Sequence, residues 1–193
     1  LSLIVHRSQA DRRGRDLVMR EIKRAGLALE PFIASISAHP PLRVPGTAVF
    51  LTANPEGVPN ALLHNLKHNK VLHERNVMLT VDILDEPVAE PEDRKSVVAL
   101  ADDFYLVTLR YGFSEDPNIP AALVAVSQCG FPFEMMDTTF FLSRESIVAG
   151  DRPGMMLWRD RLFEFLARNA TSATAFFQIP GNRLIELGTQ VEI

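Results

Sequence analysis

Three apolar segments that follow one another without an intervening helical pattern limit the fold more than any other feature of the sequence. They are Asn76–Leu84, Val97–Ala101 and Phe104–Tyr111. In the first segment, apolar residues at every second position share one face, which is typical of a half-buried strand. Strands in such succession pair as neighbours, so the pattern favours a mixed sheet over a purely parallel, doubly wound one.

Helical patterns and further strands surround these three segments. Apolar residues recur at helical spacing, and proline or glycine ends several of the segments. We therefore predict a single domain, of the α+β or α/β class, in which a mixed β-sheet has helices packed on it. The predicted helices are Asp11–Ala25, Glu30–His39, Pro59–Asn69, Asp116–Gln128, Gly154–Arg168 and Ser172–Phe177, and the further strands are Thr47–Thr52, Thr138–Ser143 and Arg183–Gly188.

Charge is distributed unevenly along the chain. Residues 1–24 contain seven Lys or Arg and three Asp or Glu, although the formal net charge of the whole chain is −4. A short apolar start followed by a basic segment fits a solvated helix face. It also fits the cytoplasmic end of a membrane span, where Lys and Arg accumulate. The remaining residues are too acidic for a nucleic-acid surface, so we expect no nucleic-acid partner.

The local signatures of common catalytic and cofactor sites are missing from the sequence. It contains no Gly-x-Ser-x-Gly nucleophile elbow, no Gly-x-Gly-x-x-Gly loop and no Walker loop. The single cysteine, Cys129, precedes a glycine in an apolar setting, which indicates an inert thiol and a reducing compartment. We therefore expect neither an enzyme activity nor a cofactor.

The candidate ligand-binding residues come from a region dense in histidine and lysine. On the predicted helix, His64, Lys67 and His68 project from one face. Two histidines at this spacing can bind a metal, but the lysine between them repels a cation, so we predict no metal site. An anion or partner contact and a purely structural helix end remain as alternatives. Arg43 can likewise anchor a carboxylate or phosphate, or form a surface ion pair.

Several segments, in order along the chain, form a recognisable pattern. The longest and most specific is VPNALLHNLKHNKVLHER at Val58–Arg75. The others are RVPGTAVFLT at Arg43–Thr52, RYGF at Arg110–Phe113, MDTTFFLSRE at Met136–Glu145, RPGM at Arg152–Met155, LWR at Leu157–Arg159 and LGTQVEI at Leu187–Ile193. Together they resemble the bacterial potassium uptake permeases of the Kup/HAK/KT family, over about residues 10–193.

The resemblance implies that the chain is the hydrophilic C-terminal part of a longer transporter. The parent would take up potassium, in symport with protons, across the cell (inner) membrane. No apolar run in this sequence approaches the ~18 residues of a transmembrane helix, so the ion pathway would lie in the missing part. Residues 1–24 would be a basic juxtamembrane segment and helix, and residues 25–193 a domain on the cytoplasmic side.

The role implied for this domain is accessory or regulatory. Its expected partners are the transmembrane part of its own polypeptide and a second copy of the chain in a homodimer. In the alternative, the domain senses a nucleotide or cyclic dinucleotide that gates transport, and Arg43, His64, Lys67 or His68 meets the phosphate.

Overall fold

The computed structural model describes residues 27–127, 133–148 and 176–192 of the chain. Short 3-10 turns at Met135–Asp137 and Gly181–Arg183 precede the last two strands. The helices and strands within these residues are, in chain order, α1 (Leu29–Ala38), β1 (Leu42–Leu51), α2 (Asn60–Asn69), β2 (Val71–Leu84), β3 (Lys95–Ala101), β4 (Phe104–Gly112), α3 (Ile119–Ser127), β5 (Thr138–Val148) and β6 (Leu184–Glu192).

These strands form one sheet in the order β3-β4-β2-β1-β5-β6. β1 is parallel to β2 and β5, β2 is parallel to β4, and β5 is parallel to β6. β3 alone among them is antiparallel, to β4, so the prediction of a single mixed sheet with helices is confirmed. The strand order reverses at β1, because β2 and β4 lie on one side of it and β5 and β6 on the other.

Helices cover both faces of the sheet. α1 and α2 pack on the face that carries Phe50 and Phe104, whereas α3 packs on the opposite face with Val49 and Phe140. Val49 and Phe50 are neighbours in β1 and are both fully buried. Successive strand residues point to opposite faces, so burial on both faces explains why β1 is a continuous apolar run rather than an alternating one.

The sequence of α1 accounts for both its packing and its end. The buried residues Leu29, Phe32, Ile33 and Ile36 recur at helical spacing and form the face turned to the sheet. Pro40–Pro41 follows after His39, and proline lacks the amide hydrogen that would continue the helix. The helix therefore ends just before this pair.

Two strands are longer than their apolar runs predict, and the predicted start points are wrong. β1 begins at Leu42 instead of Thr47, and β2 begins at Val71 instead of Asn76. Leu42 and Val71 are paired, so each extension supports the other. A register shift between Val44 and Thr47 allows β1 to pass through its Pro-Gly step.

No helix in residues 27–127, 133–148 and 176–192 is both long and apolar enough to cross a membrane. The predicted helices Asp11–Ala25 and Gly154–Arg168 lie outside the described residues, as does most of Ser172–Phe177. The predicted juxtamembrane segment, residues 1–24, also lies outside them.

Candidate functional site

The amino ends of β1, β2, β4 and β5 carry a network of charged side chains, which we call the amino-edge network. Arg43, near the start of β1, donates to the carbonyl oxygen of His73 on β2 (3.1 Å) and pairs with Asp103, just before β4. Its guanidinium lies 5.8 Å from the centre of the Phe104 ring, within the range of a cation–π contact. β2 lies between β1 and β4, so Arg43 spans an intervening strand and bonds to it on the way.

Arg75 repeats this arrangement one strand further along the sheet. From β2 its Nε donates to the hydroxyl of Thr47 on β1 (2.9 Å), and it pairs with Asp137, just before β5 (3.1 Å). β1 lies between β2 and β5, so this arginine also bonds to the strand that it crosses. The two ion pairs therefore join four neighbouring strands, and each guanidinium already has a carboxylate partner within the chain.

Gly46 allows β1 to approach the Arg75–Asp137 pair. Its φ is +97°, a conformation that residues with a Cβ rarely adopt. A Cβ at this position would lie 2.8 Å from the carbonyl oxygen of Asp137 and 2.9 Å from its Oδ1. The glycine of the RVPGT segment is therefore required by both backbone conformation and space.

Two buried polar groups lie beside the amino-edge network. Asn76 is fully buried, and its side-chain amide donates to the His73 carbonyl oxygen (2.8 Å). Among the described residues, neither Asn76 Oδ1 nor His73 Nδ1 has a hydrogen-bond partner. Burial lowers the pKa of His73 below its ordinary value, and the Asp137 carboxylate opposes this shift in part. The ring packs edge-on against Phe141, with centres 5.9 Å apart.

The predicted ligand-binding residues fall into two sets with different contacts. His64 and His68 stack on each other on α2, with ring centres 5.6 Å apart, and the exposed Lys67 lies in the last turn with His68. Basic side chains there complement the negative end of the helix dipole. Arg43 belongs instead to the amino-edge network, paired with Asp103. Ligand binding by these four residues stays a prediction, and in the described ranges no three His, Cys, Asp or Glu residues could hold a metal ion.

The position of these residues differs from the usual ligand site of an open α/β sheet. Such sheets bind ligands at the carboxyl ends of their strands, where the strand order reverses, which here is β1. Arg43 lies near the amino end of β1, and Lys67 and His68 lie just before the start of β2. The arrangement therefore does not favour the nucleotide-sensing alternative.

The loop after β1 lies where such a ligand site would be, and several of its backbone N–H groups already donate to acceptors within the fold. The N–H of Asn54 donates to Thr52 Oγ1 (3.1 Å), and the N–H of Glu56 donates to Asn54 Oδ1 (3.2 Å). The N–H of Val58 donates to the carbonyl oxygen of Leu27 (2.9 Å). These amides are used within the fold and do not point outward to cradle a phosphate.

One glutamate organises the opposite, carboxyl end of β4. Glu115 accepts hydrogen bonds from the backbone N–H groups of Ala89 (2.9 Å) and Gly112 (2.7 Å) and from the guanidinium of Arg94 (2.5 Å). These bonds hold the acidic connection between β2 and β3 against the end of β4. They also lower the pKa of the Glu115 carboxyl below its ordinary value, because each one favours the carboxylate.

Large apolar side chains are exposed at this same end of the strands, and we call them the carboxyl-edge residues. Phe113, directly after β4, is 61% exposed. Ile83 near the end of β2, Val88 in the following connection and Leu27 before α1 are also exposed. The hydrogen bond between Leu27 and Val58 shows that the chain enters the described fold at this edge.

Sequence reasoning missed Arg75, Asp103 and Asp137 as members of a site. Arg75 and Asp137 both lie in segments that carry the family resemblance, so the motifs themselves contained the signal. The signal for an ion pair was a charged residue beside a buried strand segment. Its partner of opposite charge lies beside another strand of the sheet.

Comparison with known proteins identifies the family. The sequence profile described as "K+ potassium transporter C-terminal domain" matches residues 45–193. The chain belongs to this family. Proteins named "Probable potassium transport system protein Kup" are similar to it: those of Xanthomonas oryzae pv. oryzae (56% identity over 183 residues), Thiobacillus denitrificans (55% over 183) and Xylella fastidiosa (52% over 182). No solved structure matches the chain.

Each of these matches covers 94% of this chain but 29% of the relative, so the chain spans less than a third of their length. The resemblance inferred from the motifs is therefore confirmed, including its placement in the C-terminal part of the family. The relatives are named as transport proteins, which agrees with the expectation of a protein that is not an enzyme.

Proposed function

We propose that this chain is the accessory domain of a membrane-embedded potassium uptake transporter and that it lies on the cytoplasmic side of the cell membrane. The family description and the names of the relatives support potassium transport. The observation that carries the proposal is the coverage, because almost all of this chain matches less than a third of each relative. The remainder of the parent polypeptide supplies the ion pathway and its coupling to protons.

The carboxyl edge of the sheet is the surface that docks against the membrane part. The chain enters the described fold there, at Leu27, shortly after the basic segment of residues 1–24. Lys and Arg collect on the cytoplasmic side of membrane spans, so this segment suits a position next to the membrane. Phe113 and Val88 are exposed at the same edge, where contact with the membrane part would bury them.

The domain regulates transport through this contact. A contact shifts the balance between two transporter states only when it is stronger in one state than in the other. The carboxyl-edge residues supply such a contact, because their apolar area is exposed in this fold and can be buried in one state of the membrane part. A second copy of the chain is the other partner that we propose.

The test is potassium uptake by a transport-deficient cell that expresses the full parent. Phe113→Ser removes an exposed apolar side chain from the docking surface, and Leu42→Ser removes one of similar exposure (71%) from the amino end of β1. We expect Phe113→Ser to change uptake by about tenfold or more at unchanged abundance, since burying such a side chain is worth about 1.5–3 kcal/mol. Leu42→Ser serves as the control and should transport like the wild type. Wild-type uptake by both variants would contradict docking at this edge.

A further inference from the structure

β3 forms one edge of the sheet, and within the described residues β4 is the strand that pairs with it. The N–H of Arg110 donates to the carbonyl oxygen of Arg94 (2.8 Å), one position before Lys95 pairs with Leu109. In an antiparallel ladder a bond between directly opposite residues marks a hydrogen-bonded pair, and such pairs alternate with non-hydrogen-bonded ones. The bond between the two arginines therefore fixes which backbone groups of β3 are turned toward β4.

The two kinds of pair alternate along β3 from the hydrogen-bonded pair of Arg94 and Arg110. Ser96 and Val98 therefore direct their backbone groups to β4. Lys95, Val97 and Ala99 direct theirs to the outside of the sheet. These outward N–H and C=O groups can bond to an added strand without any change in the pairing of β3 with β4.

In the part of the chain that the structure describes, little protects this edge from pairing with another chain. Natural edge strands are blunted by charged residues, proline, bulges or a covering element. β3 carries its one charged residue, Lys95, at its first position, and its bulge lies at the other end, between Ala99 and Ala101. Between them Val98 is 47% exposed.

An open groove lies beside the end of β3 and provides space for an added strand. It has a volume of about 460 Å³ and runs between α1 and the edge strand. Its walls include Ala34 and Ser37 from α1 and Ala99 and Ala101 from β3. Glu30, Ile33 and Leu100 also line the groove, and its small side chains are the places where another backbone can approach closely.

We propose that β3 pairs in antiparallel fashion with β3 of a second copy of this chain, about a two-fold axis at Val98. An isologous contact of this kind joins a surface to itself, and here it makes one continuous sheet from two. Val97 of one copy lies opposite Ala99 of the other, and both have outward backbone groups that exchange hydrogen bonds. The two Val98 side chains meet at the axis as a non-hydrogen-bonded pair, which buries an exposed apolar residue.

Charge complementarity favours a second copy as the occupant of this edge. The bulge places one extra residue between Ala99 and Ala101, so in this register Lys95 of one copy lies opposite Asp102 of the other. Both residues are exposed in the single chain, and the symmetry repeats the pair on the other side of the axis. The ammonium of Lys95 donates to the Ala125 carbonyl oxygen (3.2 Å) and has further N–H groups for a carboxylate.

The first test is disulfide cross-linking in the full-length parent in its native membrane, with the native cysteines, Cys129 included, replaced by serine. Val98→Cys places two thiols at the axis, where a non-hydrogen-bonded pair has Cα atoms about 4.5 Å apart, within disulfide range. The matched control is Val124→Cys on α3, because Val124 is 48% exposed. We expect Val98→Cys to form a covalent dimer under oxidation and Val124→Cys to remain monomeric on a non-reducing gel.

The second test exchanges the charges that the register places opposite each other. Lys95→Asp sets like charges opposite each other and should lower the cross-linked fraction of Val98→Cys by roughly fivefold, and Asp102→Lys should do the same. The double exchange should restore cross-linking. Within one chain the two residues stand at opposite ends of β3, roughly 20 Å apart, so this rescue reports contact between copies.

Two results would overturn the pairing: no Val98→Cys dimer at normal abundance, or a Val124→Cys dimer of equal yield. The pairing is tested in the parent transporter and therefore rests on the proposed function. Different results would contradict the pairing and the accessory role. Cross-linking without any effect of residues 25–193 on potassium uptake would leave the pairing intact and remove the accessory role. Altered uptake without cross-linking would leave the accessory role intact and remove the pairing.

Discussion

The two ends of the parallel strands are built in different ways. At the amino ends, Arg43 and Arg75 each cross a neighbouring strand to reach a carboxylate, so the charges there are matched within the chain. At the carboxyl ends, Glu115 fixes one long connection, while Phe113 and other large apolar side chains remain exposed. The amino edge therefore links four strands through matched charges, although Leu42 and Met136 are exposed there as well, and the carboxyl edge is the surface proposed above for a partner.

Part of the family resemblance lies at the amino edge. Three of the resembling segments contribute to the amino-edge network: Arg43–Thr52, Val58–Arg75 and Met136–Glu145. A residue that bridges strands constrains each segment it touches, so these stretches carry requirements beyond apolar character. Such requirements make a motif recognisable even when it has no catalytic role.

The largest effect should come from Gly46→Ala in the amino-edge network. The positive φ and the clash with Asp137 both oppose a Cβ, so we expect a loss of roughly 2–4 kcal/mol in the free energy of unfolding. Urea denaturation of the chain measures this loss. Gly181→Ala is the control, because a Cβ there meets no atom within 4 Å and should change stability by less than about 0.5 kcal/mol. Equal effects of the two substitutions would contradict a strained, closely packed amino edge.

Asp137→Asn should have a smaller effect, of about 1 kcal/mol. It keeps the shape of the side chain but removes the charge that pairs with Arg75, whose side chain is 26% exposed. The comparison is Asp82→Asn, which alters a looser ion pair to Arg110 with an N–O distance of 3.8 Å. That variant should lose no more than about 0.5 kcal/mol. If Asp82→Asn were the more destabilising, the amino-edge pair would not have the structural role given to it.

Glu115→Gln tests the organised part of the carboxyl edge through pH. The pKa of this carboxyl is lower in the folded chain than in the unfolded chain, so its contribution is complete above the unfolded value and is lost as pH falls through the folded value. We expect the variant to be less stable than the wild type at pH 7. The difference between their denaturation midpoints should shrink as the pH is lowered below the ordinary range of a glutamate. A difference that does not depend on pH would show that the carboxylate charge is not what holds the connection.

Local patterns in the sequence were sufficient for the elements that depend on them. Apolar spacing and a proline pair give α1, and the successive strand segments give the mixed sheet around β3 and β4. The start of β1 could not be obtained in this way, because Leu42 joins the strand by pairing with Val71 rather than by its own neighbours.

The candidate site was harder to predict for a related reason. Histidine density led to His64 and His68, which stack on each other on α2. The ion pair of Arg75 joins it to a residue 62 positions away, and nothing local indicates that the two meet. Arg43 was correctly considered as a member of an ion pair, but only the sheet order shows that its partner lies beyond the neighbouring strand.

The most direct measurement is potassium uptake by a transport-deficient cell that expresses either the full parent or a parent truncated near Arg12, with the abundance of each in the membrane recorded. If this domain is an accessory part of the transporter, the truncated parent should still insert in the membrane but should differ in uptake rate or in its response to growth conditions. Unchanged uptake, abundance and response after truncation would contradict an accessory role for the domain.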